Sequence, residues 1–136
     1  MTAIPESLVA QVVADVSKRM GDPTFAQVAI GQFVEAHPDV GRWLAAQSQA
    51  LGGSEGVMNA VFHAEILVEC FRRHTRSEPP SVRFAVLDAA TKKGDALAAL
   101  RAIQPALADF VHSNVESDAM KRALCLVGLA LHATAR

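Results

Sequence analysis

The sequence contains no tyrosine, one tryptophan and six phenylalanines, so aromatics make up only 5% of its 136 residues. A core short of large rings is filled by aliphatic and alanine side chains, which draws helices close together. Cysteine is equally scarce. Cys70 and Cys125 lie inside separate apolar runs and form no CxxC pair. That excludes a disulfide framework and suits buried, reduced thiols in a cytoplasmic protein. Charge of one sign is missing too. Thirteen Lys and Arg against 14 Asp and Glu leave a formal net charge of −1, so no global basic surface drives nucleic-acid binding. The most hydrophobic run, Ala123 to Ala133, falls well short of the roughly 20 apolar residues of a membrane span. Met1 to Pro5 lacks the basic and apolar regions of a signal peptide. No segment alternates with the period of a half-buried strand.

What is present is helical periodicity in a globular composition, 51% hydrophobic and 20% charged. The expected architecture is all-α: one domain over residues 1–136, a compact bundle of about six or seven helices around a central one. Ser54 to Thr75 is that central helix. Gly52-Gly53 interrupts whatever precedes it, Ser54 suits an N-cap, Glu55 faces the positive end of the dipole, and Arg72, Arg73 and His74 lie in the last turn. On a wheel of about 100° per residue, Val57, Ala60, Val61, Ala64, Leu67, Val68 and Phe71 share one face. Glu65, Glu69, Arg72 and Arg73 share another, with Met58 and Phe62 inside that charged arc.

The remaining helices are expected at Pro5 to Met20, from Pro23 to His37, from Pro38 to Leu51, from Pro80 to Lys93 and from Asp95 onward. Pro105 should break this last one near Ile103–Gln104, because a mid-helix proline removes a hydrogen bond and clashes with the preceding turn. Ser113 and Glu116 stand at capping-box spacing ahead of a final helix reaching about Thr134. Prolines recur near helix starts, so a short helical-repeat array is the alternative architecture; the units share no residue pattern, which favours the bundle.

Three constellations are candidates for function. Asn59, His63, Cys70 and His74 fall on one stripe, and Cys70 and His74 at i,i+4 have a spacing that reaches one zinc ion. His63 lies about 10.5 Å further along the axis, at 1.5 Å per residue, so further ligands such as His112, His132 or Cys125 would be needed. Arg72, Arg73, His74 and Arg76 form a basic cluster suited to phosphate or an acidic partner, although cations at a helix C-terminus also answer the dipole. The helices flanking His37-Pro38 have the order of a helix-turn-helix, but Arg42 is the one cation on the second, too few for phosphate contacts.

Catalytic motifs are lacking: no GxSxG, HExxH, Walker A or dinucleotide-type glycine pattern occurs, and no ExxH pair supports a di-iron bundle. Glu65 and Glu69 at i,i+4 read as part of a charged face beside Arg72 and Arg73. The sequence therefore points to a non-enzymatic, cofactor-free interaction, regulatory or adaptor domain. Its partner would be another protein or a second copy of itself, met through the final helix or the Met58/Phe62 edge; neither nucleic acid nor membrane is expected. The alternative is a small-ligand or metal-binding domain using His63, Cys70 and His74.

Overall fold

Prolines and glycines punctuate the chain at the helix boundaries. The computed structural model describes residues 2–135; Met1 and Arg136, the ends of the expected domain, lie outside the described residues. Among those described there are nine helices and no strand. In order they are α1 (Glu6–Arg19), α2 (Pro23–Ala36), α3 (Pro38–Ala45), α4 (Ser48–Leu51), α5 (Ser54–Thr75), α6 (Phe84–Thr91), α7 (Ala96–Ile103), α8 (Pro105–Asn114) and α9 (Asp118–Thr134). Pro23, Pro38 and Pro105 each open a helix, where a missing N–H costs nothing.

The count exceeds six or seven for local reasons. The segment expected from Pro38 to Leu51 is divided at Ala46-Gln47 into α3 and α4. Pro105 cuts the next-to-last helix into α7 and α8, as its missing donor requires. Two boundaries shift. The helix expected from Pro80 begins at Phe84, because Arg83 is extended at φ −96° and ψ 155°. Ser113 and Glu116 do not form a capping box; Ser117 caps α9 by accepting the N–H of Met120. The central helix has the expected span, but Gly53 rather than Ser54 is its N-cap, at φ 84° and ψ −162°, a region essentially closed to residues with a Cβ.

The core has a two-helix spine. α5 packs on α9 and also meets α1, α2, α3 and α4; α9 meets α4, α6, α7 and α8 as well. In α9 every residue from Ala123 to Leu131 is buried. The apolar surface expected to make the final helix a contact face is thus used within the chain, with Leu124, Leu126, Val127 and Leu131 in one continuous apolar core. Fully burying each such side chain stabilises the fold by roughly 1.5–3 kcal/mol. The bundle is compact rather than a repeat array: α1 touches α8 and α5 touches α9, whereas a linear array joins only neighbours. Among the described residues no helix is long and apolar enough to cross a membrane.

Only His37 and Gln104 are buried polar side chains among the described residues. Both precede a helix-opening proline and adopt nearly the same backbone, φ −131° and ψ 65° for His37, φ −138° and ψ 72° for Gln104. The residue before proline is driven out of the α region, so the chain turns a corner there. Gln104 Oε1 accepts the N–H of Ile4 at 2.8 Å, and its Nε2 lies 3.3 Å from the Thr2 carbonyl oxygen and 3.2 Å from His132 Nδ1. His37 Nδ1 accepts the N–H of Val82 at 3.4 Å. Each corner thereby satisfies extended backbone that has no helix or sheet of its own.

Candidate functional site

α1 and α2 are joined by the short turn at Met20 to Asp22, and both pack against α5. α2 seats firmly at one point, since Phe33 is its single buried residue. Its small residues Ala29 and Ala36 line the space beside α1. The result is a cavity of about 420 Å³ between α1, α2, α5 and the segment after α5, within the roughly 300–1,000 Å³ range of small-molecule sites. Val16 from α1, Met20 from the turn after it, Phe25, Ile30 and Phe33 from α2, and Phe62 from α5 form its apolar wall. Three of the protein's six phenylalanines are gathered there.

The other wall is a charged network. Arg72 donates from Nε and Nη2 to Glu78 at 2.7 and 2.9 Å, and from Nη1 to Glu69 at 2.7 Å. Arg73 donates from Nη1 to Asp15 at 2.8 Å and stands 3.4 Å from Glu69. The hydrogen bond from Arg72 holds Glu78 below the usual carboxylate range. Glu65 is at the end of this network, 3.6 Å from Arg72, with its side chain 21% exposed. Burial outweighs Arg72 there and pushes the Glu65 carboxyl up to about 7. A carboxyl of this kind binds or releases a proton near neutrality, whereas a solvated one stays ionised.

His37 also lines the cavity. Its ring is fully buried, 5.4 Å from Phe33, and burial lowers its basicity. With Nδ1 accepting from Val82, a neutral ring carries its proton on Nε2, and that buried atom has no hydrogen-bond partner. A buried donor without an acceptor costs about 1–3 kcal/mol.

The sequence-derived candidates divide. Arg72 and Arg73 are in the cavity wall, but their guanidiniums are engaged by carboxylates and are not a free phosphate clamp. His74 instead stands 3.0 Å from Thr2 Oγ1, and Arg76 is an exposed C-cap in the left-handed conformation, φ 58°. Phe62 faces the cavity, whereas Met58, one turn earlier, is 55% exposed; the expected edge is therefore split. His63, Cys70 and His74 are not assembled into a site. His63 Nδ1 is bonded to the Asn59 carbonyl at 2.8 Å, and Cys70 is fully buried with its thiol pushed up to about 12. Among the described residues no three His, Cys, Asp or Glu side chains are placed to hold a metal ion.

No family model, curated protein or solved structure matches the chain. The site therefore rests on its own geometry. Sequence reasoning treated Glu65 as part of a charged face and His37 as a helix end, and passed over Asp15, Phe25 and Phe33 as site residues. The one signal available was Phe62 beside Glu65 on the wheel, an aromatic inside a charged arc.

Proposed function

We propose that this protein binds a small amphipathic molecule in the cavity between α1, α2 and α5, and works by binding rather than by turnover. One observation carries the reading: a single cavity joins an aromatic wall to a desolvated carboxyl. Apolar pockets with a few convergent polar groups and a shifted titration are characteristic of ligand sites. The ligand-binding alternative read from the sequence is retained, but its place moves from the His63–Cys70–His74 stripe to the charged arc itself.

A protein-contact module has less to draw on. Among the described residues the exposed large apolar side chains are Val28, Val34, Met58 and Phe84, and isolated exposed apolar residues are ordinary. The free, buried thiols of Cys70 and Cys125 support a reducing compartment such as the cytoplasm.

Native mass spectrometry of protein from its own host, with an NMR titration against a panel of amphiphiles, tests the reading. The expected result is a bound small molecule with shifts confined to α1, α2 and α5, lost in Ala29→Phe, which puts a ring into the cavity. A wild-type protein that carries nothing and shows no shifts around the cavity overturns it.

A further inference from the structure

We infer that the ligand is an organic cation, a compact apolar or aromatic body bearing one ammonium group, with Glu65 as its counter-ion. This rests on the cavity being a ligand site and specifies what that site selects.

The argument is one of charge and occupancy. Four carboxylates face the cavity: Asp15 from α1, Glu65 and Glu69 from α5, and Glu78 from the segment after it. Arg72 and Arg73 oppose them from α5, and Arg19 joins from α1 with its guanidinium 5.9 Å above the Phe25 ring. His37 is neutral there, since burial disfavours its charged form. The cavity thus carries an excess of negative charge when Glu65 is ionised. Arg72 and Arg73 are already held by Glu78, Glu69 and Asp15 at 2.7–2.9 Å. An anionic ligand would have to displace those bonds.

Glu65 is different. It stands 3.6 Å from Arg72, farther than the carboxylates that hold that guanidinium, it is largely out of water, and this burial holds its carboxyl up to about 7 even beside Arg72. An ammonium delivered by a ligand supplies a closer counter-charge and leaves the Arg72 pairs with Glu69 and Glu78 in place. Phe25, Phe33 and Phe62 line the same space; they accept an apolar body, and their faces also attract a cation.

The test is isothermal titration calorimetry at pH 8 with three probes of one shape: phenethylamine, phenethyl alcohol and phenylacetate. Phenethylamine should bind about tenfold or more tightly than the alcohol, the worth of one charge-assisted contact, and phenylacetate should bind least. In Glu65→Gln the gap between amine and alcohol should close. At pH 7 in buffers of different ionisation enthalpy, the amine should release about half a proton per site from wild type and none from Glu65→Gln. Equal binding of amine and alcohol, tighter binding of phenylacetate, or binding of none of the three overturns the cation assignment. The cavity itself is judged separately, by the bound molecule and by Ala29→Phe.

Discussion

Gln104 Oε1 accepts the backbone N–H of Ile4 at 2.8 Å, tying the start of the chain to the corner between α7 and α8. This side chain is fully buried and serves the Thr2–Ile4 segment through both its oxygen and its nitrogen. Gln104→Ala should therefore lower unfolding stability by about 2–4 kcal/mol, since it strands more than one buried backbone group. Chemical denaturation checks this; a loss under about 1 kcal/mol would mean that water replaces the amide.

Glu65 governs a pH dependence. Its carboxyl holds a proton up to about 7 when folded, against an ordinary value of 4.5. The folded chain binds more protons than the unfolded chain between those values, so stability falls as pH rises through that window, by on the order of 3 kcal/mol at most. His37 and His132 act in the opposite sense, because burial lowers both and stability is lost as pH falls below 6.5. Comparing wild type with Glu65→Gln at each pH removes the histidine contributions. The variant should gain relative stability steadily from pH 4.5 to about 7 and hold a constant advantage above. A difference that does not vary with pH would show that Glu65 titrates normally.

Gly56 lies in the first turn of α5, directly against α4. A Cβ there would overlap the carbonyl oxygen of Leu51, a backbone atom with nowhere to swing. Gly56→Ala should cost more than about 3 kcal/mol, at or beyond the upper end of ordinary overpacking, with α4 detaching first. Hydrogen exchange at Leu51 and Gly52 would detect that detachment. An unchanged melting temperature would refute the packing account.

Arg76 is the one described non-glycine residue with a positive φ, 58°, and it ends α5. A side chain in that conformation costs roughly 1–2 kcal/mol. Arg76→Gly should raise stability by about 1 kcal/mol, whereas Arg76→Ala should not, because alanine keeps the Cβ. Parallel urea titrations separate the two; equal effects would assign the gain to charge instead.

The helices were legible because their signals are local. Ser54–Thr75 has the expected span, since Gly52-Gly53 ahead of it and the apolar spacing within it need no distant information. The break at Pro105 follows from the missing donor alone. The site was much less legible. The wheel put Glu65 and Phe62 on one side of α5 and read that side as a charged face broken by Met58 and Phe62; α1 and α2 cover it. It also gave the final helix a spare apolar face, which α4 through α8 occupy. His37 and Gln104 were visible only as corners, and nothing local says that their side chains turn inward to hold Val82 and Ile4.

By itself the sequence determined an all-helical chain, where most helices start and stop, and which residues are apolar enough to fill a core, because capping, proline geometry and side-chain periodicity act over a few residues. Tertiary structure alone decided which charged face became a cavity wall, which cations were taken up by carboxylates, and where a carboxyl lost its water. Those outcomes depend on what another helix brings to within a few ångströms, and desolvation and ion pairing are properties of that assembled neighbourhood rather than of any one stretch of chain.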